Sequence, residues 1–284
     1  TEEARKNATP LLRALMAAPD AVPFVAAVEE KLLPLPEGTE AASLYAAAIA
    51  RNNAQAVQYL TEKIPLTPDI IKELQDSHDY KVQRHAVVEF GGDWHAKDDA
   101  VFWKGLESDD KETLALFPRD KKFSTVSAWM VDNAIKSLLK RGDLAQLENV
   151  ITETDWTKDA KERVFQTLLS SQPALDIAAK HGFLPETLRM NDMHDIAAHG
   201  GGDTLQWLAD HGVQLTDKVA EEGLRIAVQR NAPGMIGYMF ANDIGRAKDP
   251  KEIVFALESL AGEPALQAME KWVTREEVKP ADNI

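Results

Sequence analysis

The 284-residue sequence contains no cysteine, which excludes disulfides, thiolate metal sites and a cysteine nucleophile together. Doing without disulfides leans toward the cytoplasm. Because the sequence opens at Thr1 rather than Met, a leader removed ahead of this numbering leaves export open. Long apolar runs are missing too: no window approaches the roughly 18 consecutive apolar residues of a membrane span, and no charged start leads into a short apolar run as in a signal peptide. The expected chain is soluble and unanchored. Basic residues are in deficit, with 32 Lys and Arg against 46 Asp and Glu and a net charge of -14. Such a molecule repels polyphosphate and anionic headgroups, so nucleic acid and membrane surfaces are not expected partners. Aromatics are sparse at 7%. Alternating Val, Ile and Thr runs closed by Asn-Gly or Asp-Gly turns, the mark of a sheet, do not occur.

What is present is helix period. Alanine- and leucine-rich segments place apolar residues at i, i+3, i+4 and i+7, as in 42–49 and 57–60. The expected fold is all-α. The segments are short and are divided by polar breaks near Asn52, Asp79, Asp109, Gly142, Ser171, Gly200, Asn231 and Ala261, spaced 27 to 33 residues apart. Four units share one template, with apolar residues seven before and five and eight after the break. These are Tyr45, Val57 and Leu60; Ile135, Leu147 and Val150; Met193, Leu205 and Leu208; and Leu224, Ile236 and Met239.

The ends of the helices repeat as well. Thr67 before Pro68 and Asp69, Asp159 with Glu162 three residues on, and Thr216 before Asp217 offer side-chain oxygens to the unpaired N–H groups of a helix start. His181-Gly182 and His211-Gly212, 30 residues apart, place glycine where a helix ends in the left-handed conformation. A pair of short helices cannot bury its apolar stripe alone, so neighbouring pairs must stack. The register predicts an α-solenoid of about eight antiparallel helix pairs, an elongated array. Residues 1–38, with Pro10, Pro19, Pro23, Pro34 and Pro36, read as a divergent N-terminal helical cap, and 39–284 as one continuous repeat domain.

The stretch from Met193-His194 through Ile196-Ala197, Gly200 and Leu205-Gln206-Trp207-Leu208 to His211-Gly212-Val213 resembles one ankyrin repeat without a gap. Met193-His194 stand where that family has Leu-His, Ile196-Ala197 where it has paired alanines, Gly200 at the turn between helices and His211-Gly212 at the end of the second helix. Leu144 to Ile151 after Gly142-Asp143, and Ala54 to Leu60 after Asn52-Asn53, are similar; Leu224 to Ile244 keeps the spacing. The family's Thr-Pro-Leu-His opening reads Asn191-Asp192-Met193-His194 here, and a mean unit of about 30 residues against the family's roughly 33 implies shortened finger loops.

The resemblance implies a non-enzymatic protein-binding module, a monomer in isolation, that contacts its partner through a concave face and inter-unit loops. A permanent structural component of a larger assembly is the alternative, and an enzyme ranks below both. The net charge of -14 favours a basic partner by electrostatic steering. Trp94 and His95 after Gly91-Gly92-Asp93, Phe123 beside Lys121-Lys122, and Trp156 in Thr154-Asp155-Trp156-Thr157 are the candidate partner-binding residues. Exposed loop aromatics anchor interfaces; the competing reading folds each ring back as a lid over the adjacent helix pair.

Neither metal nor cofactor is expected. Four of the seven histidines lie between 181 and 211, but His194 and His199 are five apart and diverge on a helix, where a shared zinc wants a spacing of four. The resemblance gives His194 a backbone hydrogen bond between units, and His181 and His211 sit where a cation suits a helix end. Asp195 and His199 share a face with no nucleophile in reach. Gly200-Gly201-Gly202 lacks the Lys-Ser/Thr of a phosphate loop and reads as an extended inter-helix turn. The acidic run Asp98 to Glu112 misses calcium-loop spacing and reads as a solvated face.

Overall fold

The computed structural model describes residues 2–16, 21–118, 122–125, 127–242 and 244. They are mostly helical, and the chain forms two compact units, Thr1–Ser124 and Thr125–Ile284. In the first unit the helices pair as α1 (Glu2–Leu15) with α2 (Val22–Glu29), α3 (Glu40–Ala50) with α4 (Ala54–Lys63), α5 (Pro68–Gln75) with α6 (Tyr80–Val88), and α7 (Ala96–Ser108) with α8 (Lys111–Leu116). In the second they pair as α9 (Ala128–Arg141) with α10 (Leu144–Glu153), α11 (Lys158–Leu168) with α12 (Gln172–Lys180), α13 (Met190–His199) with α14 (Gly201–Asp210), and α15 (Asp217–Gln229) with α16 (Pro233–Ala241). No helix among the described residues is long and apolar enough to cross a membrane.

All seven polar breaks that fall on described residues separate the two helices of a pair; the one at Ala261 lies outside the described residues. The turn chemistry explains why. Asn52, Asp109 and Gly142 take positive φ (55°, 57° and 70°), a left-handed residue that stops the first helix. The next residue then starts the second: the side chains of Asn53, Asp110 and Asp143 accept from the N–H groups of Ala56, Thr113 and Gln146. All twelve template residues are buried, none more than 9% exposed. Thr67 caps α5 through the N–H of Ile70. The other caps need correction. Thr157, not Asp159, accepts from Ala160 at the start of α11, because the chain is already helical at Lys158; Thr216 precedes α15 without a side-chain cap bond. Gly182 and Gly212 do end their helices at positive φ, 63° and 81°.

Within each unit, successive pairs pack like on like. The first helices α1, α3 and α5 lie side by side in one, and α9, α11, α13 and α15 in the other, while α2 meets α4, α10 meets α12, and α14 meets α16. Hydrogen bonds therefore recur at about one repeat of sequence separation. The Tyr59 hydroxyl donates to Glu29 at 2.7 Å, 30 residues away, and the Tyr80 hydroxyl to Asp110 at 2.8 Å, also 30 away. Burial, reinforced by that bond to a carboxylate, pushes the Tyr80 pKa up to about 12. In the second unit the Thr157 N–H donates to Thr125 Oγ1 at 2.7 Å, 32 residues away. The inter-pair connectors pair too: Leu188 N–H reaches Gln214 O, and Gln214 N–H reaches Glu186 O, both at 2.9 Å.

Leu12, Met16 and Phe24 share one core with Leu44, Tyr45 and Leu60, so the first two helices belong to the first unit, and by internal contacts the chain divides at 124/125. Gly200 and Gly201 form the turn, Gly201 in the left-handed conformation at φ 58°, and Gly202 stands at the start of α14, where a Cβ would lie 2.2 Å from the Gly234 carbonyl oxygen. Glycine is needed there for the close approach of α14 to α16.

Candidate functional site

Phe123 is not at the surface. It is 1% exposed, stacked on Phe102 with centroids 3.8 Å apart and edge-on to Phe117 and Trp103. Its neighbour Ser124 is clamped to α7, with its N–H on Asp99 Oδ2 at 2.5 Å and its carbonyl taking the Trp103 indole N–H at 2.8 Å. Trp94 and His95 join this cluster through Phe117, at 5.6 and 5.3 Å, and are half-buried. The structure thus gathers three of the four candidates in one place, but as core and lid rather than as exposed anchors.

His95 has a further partner that the acidic run concealed. Its Nδ1 lies 2.5 Å from Asp99 Oδ1, and the Asp99 side chain is 2% exposed. Asp99 ends a run of three left-handed residues, Lys97, Asp98 and Asp99, a conformation costly for side chains other than glycine. The His95 and Ser124 bonds hold it there. Asp110 is likewise drawn inward, accepting from Tyr80, from Arg84 Nε at 3.0 Å and from Thr113. The run is therefore only in part a solvated face.

Trp156, in the second unit, donates its indole N–H to Ile151 O at 3.0 Å and stands edge-on to Phe183 at 4.8 Å. It too is half-buried. His181 Nε2 meets Glu148 Oε1 at 2.8 Å, and Lys180 donates to the same oxygen at 2.6 Å; these bonds lower the Glu148 pKa, Lys180 first. His211 stacks on Trp207 at 3.8 Å with its Nδ1 on the Trp207 carbonyl. His194 departs from its expected role: its Nδ1 is buried without a hydrogen-bond partner among the described residues. No group of three or more His, Asp or Glu that could hold a metal occurs among the described residues.

A second set of polar contacts in this unit lies on its first helices. Asp132 on α9 has a 4% exposed side chain and accepts from Thr167 of α11 and from Lys136 at 2.8 Å, with Arg163 of α11 at 4.0 Å. Two repeats on, Asp192 of α13 is fully buried and bonded to Arg189 and Gln166, and Arg189 also pairs with Glu162. Buried carboxylates on facing helices thus pin the register of neighbouring pairs, while the cations that meet them keep exposed surface, Lys136 59% and Arg163 50%. On α9 the residues Trp129, Asn133, Lys136 and Lys140 recur at intervals of four, three and four, which puts them on one stripe. Trp129 is 57% exposed. Sequence reasoning missed it because it reads as part of an ordinary amphipathic helix; its signal is that it falls outside the Val131, Ile135 and Leu138 core stripe.

Asp195 of α13 sits half-buried near this face, and burial raises its pKa from 3.8 against the opposing pull of His199, with Asp192 adding to the rise. The folded state therefore holds the Asp195 proton to higher pH than the unfolded chain does. Its contribution is full below the unfolded pKa and lost as pH rises through the folded one. Asp195→Asn is expected to raise stability at neutral pH, by up to about 1 kcal/mol after solvent screening. Urea midpoints of the two proteins should converge toward about pH 4; a variant less stable at neutral pH would show that the carboxylate is stabilised there.

A second surface is the groove between α2 and α4, about 410 Å³ in volume and lined by Val22, Val25, Tyr59 and Glu62. Its lining is mainly apolar. No family model, curated protein or solved structure matches the chain.

Proposed function

We propose that the chain is a non-enzymatic protein-binding module, built as a divergent ankyrin-like solenoid, that takes a partner protein on the outward face of the first helices of its second unit. The observation that carries this reading is the α9 stripe of Trp129, Asn133, Lys136 and Lys140, headed by the most exposed aromatic among the described large apolar side chains. Indole and cationic side chains standing over a rigid, carboxylate-pinned pair of helices present pre-organised contact area at low entropic cost. The repeat-length hydrogen bonds support the array reading. So do the positions of Met193, Gly200, Leu208 and Gly212 at core, turn, core and helix end of one unit. Binding of this kind needs no cofactor, metal or second copy of the chain.

Photo-crosslinking tests it. With a photoreactive residue at Trp129, irradiation in an extract of the source cells is expected to give a discrete adduct with one protein. The same residue at exposed Asn149 on α10 is expected to give none. Identical adducts from both positions, or none from 129, would overturn the choice of face.

A further inference from the structure

The partner's chemistry can be read from where the positive charge lies. Although the chain carries -14, α9 holds Lys136, Lys140 and Arg141 against Asp132, a net +2. Its neighbour α11 holds Lys158, Lys161 and Arg163 against Asp159 and Glu162, a net +1. Every other helix among the described residues of that unit is neutral or negative: α10, α13 and α14 each carry two carboxylates and no Lys or Arg, α15 is net -1, and α12 and α16 are neutral. The cations of α9 and α11 converge physically, since Lys136 and Arg163 approach the same Asp132 oxygen at 2.8 and 4.0 Å. Asp132 and the nearby Asp195 offset Lys136 and Arg163, so the excess of positive charge is carried by Lys140, one turn further along the stripe that Trp129 begins, with Arg141 next to it.

Resting on the binding face proposed above, we infer that this surface receives an acidic, hydrophobic-bearing peptide segment of another protein, its carboxylates meeting Lys136, Lys140 and Arg163 and an apolar side chain meeting Trp129. Ammonium groups spaced along one helical stripe from an indole, with a guanidinium on the neighbouring helix, fit carboxylates interleaved with apolar side chains. Nucleic acid would supply negative charge too, but its long uniform array of phosphates must also lie against the -14 of the whole chain, whose field repels it. A short acidic segment feels chiefly the local patch within a Debye length of about 10 Å. The chain-wide balance that favours a basic partner does not describe this face.

The test uses the full chain and three fluorescent probes: a peptide of about 12 residues alternating Glu and Asp with Leu and Phe, the same peptide with Lys in place of its acids, and a single-stranded oligonucleotide of similar length. Only the acidic peptide is expected to bind, more weakly as salt rises. Lys140→Glu and Trp129→Ala are each expected to weaken it about tenfold. Lys136→Glu would set a carboxylate beside buried Asp132 and endanger the fold, so Lys140→Glu and Arg163→Gln carry the test, with helicity checked by circular dichroism. Failure of the acidic peptide to bind, equal binding by folded Lys140→Glu, or stronger binding of the Lys peptide or the oligonucleotide would overturn the inference. If crosslinking at 129 still captures a protein in any of these cases, the face stands and only its partner chemistry falls.

Discussion

Phe123→Ala is expected to lower the stability of the first unit by about 3–5 kcal/mol, the range for emptying a packed aromatic site. The side chain is 1% exposed and touches three other rings, stacked on Phe102 and edge-on to Trp103 and Phe117. Rings arranged this way gain beyond their buried area. The cost should exceed that of a simple cavity, because the extended segment at Phe123–Ser124 also carries the acceptor of the Trp103 indole and the donor to Asp99; letting it drift would leave buried polar groups unpaired. Urea unfolding followed by near-ultraviolet circular dichroism of the tryptophans measures this. A midpoint unchanged by the substitution would restore Phe123 to the surface and the notion of a loop anchor with it.

The sequence misleads at Phe123 for a physical reason. An aromatic beside Lys121-Lys122, outside any helical stripe, looks like loop, and nothing in the local pattern says that Phe102, Trp103 and Phe117 will close around it. Trp94, His95 and Trp156 are half-buried, their rings turned onto Phe117 and Phe183. Local chemistry reads better. The breaks at Asn52, Asp109 and Gly142 were visible because one residue must take left-handed φ and the next must cap, and few side chains do either. The apolar positions at seven before and five and eight after a break were visible because stacking imposes the same inward face on each repeat. Hidden from such local reading are the buried acids. Asp99, Asp132 and Asp192 look like solvated helix charges until the partner arrives, from four residues away for His95 but from 35 for Thr167 and 26 for Gln166. Once the period is known, polar pairs separated by about one repeat, such as Tyr80 and Asp110, are the signal that would have located them.

The stacking itself is tested at Leu208. It occupies the position eight after the break that Leu60, Val150 and Met239 occupy in other repeats, and it is 1% exposed. Leu208→Ala is expected to cost roughly 2–5 kcal/mol from lost burial and the cavity left behind. Little relaxation can fill that cavity, since α14 and α16 already approach until Gly202 has no room for a Cβ beside Gly234 O. In an array whose stability is a sum over neighbouring repeats, damage of this size need not unfold everything at once. The contacts of α14 with α13 and α16, and of α13 with α15, should go first, while α9 to α12, pinned by Asp132 and its Thr167 bond, keep most of theirs. Native-state hydrogen exchange distinguishes the outcomes: amides of α13 to α16 should exchange faster by a factor of about 10 or more, and those of α9 to α12 should change much less. Uniform acceleration across the second unit would mean a single cooperative globule in place of stacked pairs, and no acceleration would mean that Leu208 does not face the core.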